Sequence, residues 1–260
     1  MKLPIYQVDA FASQLFAGNP AAVVRLEAPL DETTMQAIAA ENNLAETAFV
    51  HAGESGMSIR WFTPTVEVDL CGHATLAAAH VYFEYLEFAE DRISFDSKSG
   101  PLAVERSDGQ LFLDFPADHL EPVDPPAEIA QATGLEPQRV FRGRDDFLAV
   151  FDSESDIANM SPDFSVIAKL PARGLIATAK GNEVDFVSRM FAPQSGIPED
   201  PVTGSAHTTL TPYWSERLGK NELSARQISA RGGELVCINQ GARIRIGGRA
   251  TTYLIGQIFV

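Results

Sequence analysis

Cysteine is nearly missing from this chain of 260 residues: Cys71 and Cys237 are the two present. Two thiols build neither a disulfide scaffold nor a Cys-rich zinc site. Basic residues are also few. The 20 Lys and Arg stand against 35 Asp and Glu, a formal net charge of −15, and no basic run breaks the pattern. Such a charge repels nucleic acid and anionic membrane surfaces, so neither is an expected partner. No apolar stretch reaches the ~20 residues of a membrane span. A Gly-rich phosphate loop is lacking as well, because Gly232-Gly233 and Gly247-Gly248 fall among strands and read as turns or bulges. The opening Met-Lys-Leu-Pro-Ile-Tyr-Gln-Val-Asp reads as a strand without the features of a secretory signal, and the expected location is cytoplasmic.

What is present is length, apolar content and a repeat. At 260 residues and 45% hydrophobic content, two domains with sizeable cores are favoured. One copy of the repeat reads Arg60-Trp-Phe-Thr-Pro64, then Cys71-Gly72-His73-Ala74, then an Ala-rich run to Leu86. The other reads Arg189-Met-Phe-Ala-Pro193, then Thr203-Gly204-Ser205-Ala206, then a run to Leu218. A similar strand pair closes each copy, over 100–104 with 109–113 and over 233–237 with 241–246. The proline-rich stretch 116–137 is the expected linker, with a short helix over 126–133. The domains are therefore placed at 1–120 and 121–260. Two like domains facing each other would bring two helix N-termini to one cleft, offering N–H groups and positive dipole ends to an anion.

Local patterns place the elements. Alternation predicts strands over 5–10, 21–25, 44–50 and 57–62, with a turn at His51-Ala-Gly. Asp31 suits the N-cap of a helix running to about Glu41 and ended by Asn42-Asn43. The segment 73–86 is apolar almost all round, so its helix belongs inside a wrapping sheet. The segment 205–218 is more polar, and Pro212 is expected to kink it.

Glu46 is the first chemical candidate. On a strand over 44–50 it shares a face with Leu44, Ala48 and Val50, and desolvation there should raise its pKa, which suits a proton carrier. Asp69, Cys71 and His73 alternate around the first Gly turn, as Asp200, Thr203 and Ser205 do around the second. His73 and Ser205 lie in the first turns of their helices, beside unpaired N–H groups. Asp200 and Ser205 would serve equally as plain helix caps, but recurrence in both copies favours a shared site. His80 reads as a core histidine, and His207 suits either a cleft or a cap. Cys71 at a helix N-terminus is a rival nucleophile with a lowered pKa. No metal is expected, since Cys71 and His73 lack a second ligand pair.

The segments Asn-Leu-Ala-Glu46-Thr-Ala-Phe, Leu-Cys-Gly-His73-Ala-Thr and Glu-Asp200-Pro-Val-Thr-Gly-Ser205-Ala resemble the signatures of the phenazine-biosynthesis PhzF-like family. So does the start, Val-Asp-Ala-Phe followed by Gly-Asn-Pro-Ala-Ala-Val-Val, and the likeness covers essentially the whole chain. It implies the diaminopimelate-epimerase-like fold, an α+β architecture of two pseudo-symmetric domains. Each is a curved, mostly antiparallel sheet wrapped around a central helix, with the active site between them. It further implies a cofactor-independent isomerase of a small anionic metabolite, working without cofactor or metal, and allows a homodimer. By the same likeness Glu46 shuttles the proton, with His73, Asp200 and Ser205 around the substrate. Gly72 and Gly204, flanked by Cys71 and Thr203, open the helices that hold its anionic groups. Racemases of this fold use one cysteine from each half. Here Thr203 stands in the second half, which favours a single-glutamate mechanism. The alternatives are a cysteine-assisted amino-acid epimerase or racemase, and a non-catalytic metabolite-binding protein.

Overall fold

The computed structural model describes residues 1–53 and 56–260. The chain divides into two compact units, one of Met1–Asp114 with Gly247–Val260 and one of Phe115–Ile246. In the first stretch the order is β1 (Lys2–Ala10), β2 (Asn19–Leu26), α1 (Glu32–Asn42), β3 (Glu46–Gly53), β4 (Gly56–Phe62), β5 (Glu67–Val68), α2 (Gly72–Tyr85), β6 (Arg92–Ser97), β7 (Gly100–Ser107) and β8 (Gln110–Pro116). It continues with β9 (Glu121–Val123), α3 (Ala127–Thr133), β10 (Arg139–Arg142), β11 (Asp146–Val150), α4 (Glu154–Asn159), α5 (Phe164–Ile167), β12 (Gly174–Lys180), β13 (Phe186–Ala192), β14 (Ile197–Asp200) and α6 (Gly204–Leu218). The last strands are β15 (Glu222–Gln227), β16 (Gly233–Asn239), β17 (Arg243–Gly248) and β18 (Ala250–Phe259).

The repeat read from the sequence is a repeat of strand pairing. In the first unit β1 and β2 are antiparallel, β2 and β3 parallel, β3 and β4 antiparallel, β4 and β5 antiparallel, β4 and β6 parallel, and β6 and β7 antiparallel. In the second, β10 with β11, β11 with β12, β12 with β13, β13 with β14, β13 with β15, and β15 with β16 follow the same senses in the same order. The fold is therefore α+β and pseudo-symmetric, with mixed sheets in which antiparallel pairs predominate. Gly247–Val260 was expected with the second domain but belongs to the first unit, because β18 lies antiparallel to β1 along its whole length. The expected linker is also structured: β9 pairs with β10, and α3 packs on α5.

Each unit wraps strands around one helix. In α2, ten of the 14 residues are buried, and the helix touches β1, β2, β3, β7 and β18. Ala74, Ala77, Ala78 and Ala79 are fully buried, which lets strands approach on every side. Larger residues there would overpack the core, at about 1–3 kcal/mol each. On the far face of the sheet α1 closes a second core, where Met35, Ile38 and Ala39 meet Phe49 and Phe62. Asp31 caps α1 and Asn43, in the left-handed region, ends it, as the sequence predicts. The counterpart core in the second unit gathers Ile157, Val166 and Ile167 of α4 and α5 with Phe191. Two local expectations give way. The strand β3 runs on through His51 to Gly53, and Leu44 precedes it, packing with the α1-side core instead of sharing the Glu46 face. Among the described residues no helix is long and apolar enough to cross a membrane.

Candidate active site

Side chains alternate along β3. Phe49 belongs to the α1-side core, so Glu46, Ala48 and Val50 face the other way, towards α2. Glu46 opens the strand beside Ala21 of β2. Its side chain retains 12% exposure, and its Oε2 lies 3.2 Å from His73 Nε2. The opposite ring nitrogen, His73 Nδ1, lies 3.5 Å from Cys71 Sγ. One imidazole thus bridges a thiol and a carboxyl group. The Nε2–Oε2 approach is within ion-pair distance but falls short of hydrogen-bond geometry, and the tautomer with its proton on Nε2 is the one that leaves Nδ1 to accept from the thiol. Burial pushes the His73 pKa down to about 3, so the ring is neutral at physiological pH.

The same three residues form a cluster of potential metal ligands whose donor atoms lie within 4.8 Å of one another. The sequence showed only the Cys71–His73 pair, and the fold adds Glu46. Because the thiol and the carboxyl meet opposite ring nitrogens, the arrangement suits carrying a proton across the ring more than gathering three donors around one ion.

In the second unit the matching positions are occupied differently. Thr203 Oγ1 donates to Asp200 Oδ2 at 2.6 Å and accepts from Gln227 Nε2 at 3.2 Å. The Gln227 carbonyl oxygen accepts from Thr203 N at 2.9 Å, and its Nε2 also donates to Asp200 O at 2.7 Å. One glutamine side chain therefore fastens the approach to α6. Ser205 Oγ accepts from Arg173 Nη2 at 3.1 Å. Arg173 in turn holds buried Asp146 with Nε at 3.0 Å and with Nη2. A guanidinium only donates, so the Ser205 hydroxyl hydrogen points elsewhere and remains a donor. His207 is fully buried, with Nδ1 2.8 Å from the Thr203 carbonyl one turn earlier, so its ring is tied back to the start of α6 and caps none of that helix's free N–H groups. His80 is half-buried and contacts Thr252 Oγ1 at 2.9 Å. Asp146, Arg173 and Gln227 escaped the sequence reading. They lie 24 to 32 positions from their partners, as Thr203–Gln227 and Arg173–Ser205 show, and no local pattern marks them.

Gly72 and Gly204 are the first residues of α2 and α6. The N-caps Cys71 and Thr203 are extended, and neither side chain accepts from its helix. By contrast Asp31, Ser153 and Asp163 each cap their own helices. The first turns of α2 and α6 thus lack the side-chain caps that normally take up these N–H groups, the condition for receiving an anion.

Residues 8–256 match the family described as phenazine biosynthesis-like protein. A Pseudomonas aeruginosa protein described as an uncharacterized isomerase is 52% identical over 258 residues, covering 99% of each chain. The crystal structure of a phenazine biosynthesis PhzF family protein from Enterococcus faecalis superimposes with a TM-score of 0.98, at 47% identity over 100% of both chains. A hydroxyproline epimerase from Agrobacterium vitis, solved with trans-4-hydroxy-L-proline bound, shares the fold alone: its TM-score is 0.63 and its identity 10%, over 99% of this chain and 92% of that one.

Proposed function

The chain belongs to the phenazine biosynthesis-like family and is an isomerase, and on that premise we propose that it moves a proton on a small anionic metabolite through Glu46, His73 and Cys71. The observation that carries this reading is the His73 ring with a thiol at one nitrogen and a carboxyl at the other. When the thiol proton passes to Nδ1 and the Nε2 proton passes to Glu46, a thiolate and a neutral carboxylic acid result. That pair is one base and one acid, as an isomerisation or epimerisation requires. The ring stays neutral throughout, in keeping with a burial that disfavours imidazolium. Glu46 then shares the chemistry with Cys71, and the cysteine-assisted reading is preferred to a lone glutamate.

Roles in the second unit are assigned on the same premise. The first turn of α6, opened by Gly204, with the Ser205 hydroxyl, holds a carboxylate or an enolate oxygen. Asp200 and Thr203 set the approach to that turn. In the first unit the N–H groups at Gly72 and His73 stabilise negative charge as it develops beside the base.

The test is hydrogen exchange in deuterated water, followed by mass spectrometry on trans-4-hydroxy-L-proline, L-proline and a panel of small carboxylates. Glu46→Gln and Cys71→Ala are each expected to slow exchange by about 10²–10⁴-fold. Full exchange in Cys71→Ala returns the chemistry to Glu46 alone. A readout without substrate is the rate at which iodoacetamide alkylates Cys71, which should fall in Glu46→Gln because the thiol loses its proton acceptor.

A further inference from the structure

A cavity of about 510 Å³ lies within the second unit, lined by residues of α6, of β10 and of the segment that follows β8. Pro212 begins its construction. Proline in a helix cannot donate to the carbonyl four residues back, here that of Thr208. That carbonyl accepts instead from Asp118 N at 3.2 Å. The Asp118 carboxylate is occupied by Thr209 Oγ1 at 2.8 Å and by the backbone N–H groups of His119 and Arg144. The segment is thereby pinned across the helix at the point where the ladder is interrupted, and a hollow remains beside it.

Periodicity decides what faces this hollow. On β10, Arg139 and Phe141 point one way while Val140 points into the core. On α6, Tyr213, Glu216 and Arg217 follow at the three- and four-residue spacing of one helix face. Phe141 and Tyr213 form an aromatic wall, with ring centroids 5.4 Å apart. Among the described residues neither Arg139 nor Arg217 takes part in an ion pair, whereas Arg60, Arg106, Arg173, Arg189 and Arg226 all do. Both cations act on the same point: the positive charges of Arg217 and Arg139 oppose the rise that burial imposes on the Tyr213 hydroxyl. Glu216 is the acid that remains at the rim, and it is exposed.

We propose that this cavity is a second ligand site, separate from the Glu46–His73–Cys71 set, and that it takes an aromatic carboxylate. The ring lies against Phe141 and Tyr213, and the carboxylate is held by Arg139 and Arg217. The volume falls in the range of small-molecule sites. Guanidinium–carboxylate pairs and ring stacking are the recognition chemistry that these side chains offer. The site does not depend on the assignment of the isomerase residues.

Benzoate is the probe, with benzamide as its uncharged counterpart and acetate as a carboxylate without a ring. In a ¹H–¹⁵N NMR titration benzoate should shift the amides of residues 139–141 and 213–217, with a Kd below about 1 mM. Benzamide and acetate should each bind at least about tenfold more weakly. The double variant Arg139→Gln/Arg217→Gln alters two exposed side chains and should fold normally. It should lose benzoate affinity by about tenfold or more, while Cys71→Ala binds benzoate as the parent does. Three results overturn the proposal: no shift at about 10 mM benzoate, equal affinity in the double variant, or shifts centred on residues 46 and 71–73.

Discussion

Cys71 and Thr203 occupy the same place in two copies of one design, and they have different work. Each follows a strand, takes an extended backbone and leads into a buried helix that begins with glycine. The thiol faces a neutral imidazole that is itself against a carboxyl group. The hydroxyl is tied to Asp200 and Gln227 and forms a latch. Duplication therefore kept the framework while the chemistry of the two first turns diverged. The framework is shared down to its electrostatics. Arg60 grips Glu67 with Nε at 2.6 Å and Nη2 at 2.8 Å, and Arg189 grips Glu199 with the same two nitrogens at 2.7 and 2.8 Å. Both guanidiniums also lie over the phenylalanine two positions on, Phe62 and Phe191. The Arg-x-Phe spacing of the repeat is explained by this clamp.

The sharpest way to break the likeness is to remove each clamp in turn. Arg189 is the more enclosed, at 12% side-chain exposure against 32% for Arg60, and it also donates to the carbonyls of Ile157 and Met160. Arg189→Met should cost about 3 kcal/mol and Arg60→Met about 1 kcal/mol, measured by urea unfolding. Equal losses would show that the extra carbonyl contacts contribute nothing.

A smaller effect tests the latch. Thr203→Val keeps the shape and removes the hydroxyl shared by Gln227 and Asp200, so a loss of about 1–3 kcal/mol is expected in the same measurement. Thr203→Cys should also destabilise and should not create a second reactive thiol, because nothing at that position plays the part of His73 and Glu46. Rapid alkylation at residue 203 would contradict this.

Acid probes the first of the two clamps. The bonds from Arg60 hold the Glu67 carboxyl at about 2, below its ordinary 4.5. A depressed carboxyl stabilises the fold above its unfolded pKa, and that share is lost as pH falls from about 4.5 towards 2. Lys98, which also donates to Glu67, adds to the effect. Glu67→Gln should be less stable than the parent at neutral pH, with the difference narrowing across this window in pH-dependent thermal unfolding.

A further effect, seen only in acid, concerns two histidines that behave alike. Burial depresses His73 to about 3 and His207 to about 4, from an ordinary 6.5. Below pH 6.5 the unfolded chain takes up protons that the folded chain refuses, so stability declines as pH falls towards those values. His73→Asn should flatten part of that decline. The exchange rate of the parent should show no limb near 6.5 from His73, and an NMR titration of its ring with a midpoint near 6.5 would refute the neutral bridge.

Much of the framework was legible because it is written in short-range pattern. Asp31 and Asn43 bracket α1, the apolar run marks α2 as a buried helix, and the twin Arg-x-Phe and Gly-led segments mark the duplication. Glu46, Cys71 and His73 were legible as candidates for the same reason. Their contact was less so, because β3 and α2 come together only when the sheet wraps the helix. Leu44 shows the limit of alternation: a strand that begins two residues later than the pattern suggests places it in another core. Pro212 predicts a kink from sequence, but its consequence, a carbonyl handed to Asp118, depends on a segment 91 positions from Thr209.

By itself the sequence determined many of the first-half elements, the two Gly-led helices, the duplicated plan and the residue types able to carry a proton, since these follow from periodicity, capping and side-chain chemistry within a few positions. The tertiary structure alone decided that one imidazole touches both thiol and carboxyl, that Thr203 is bound as a latch, and that Arg173 reaches Ser205. Those are distances between distant parts of the chain. They are set by how strands pack around a helix, which no local pattern encodes.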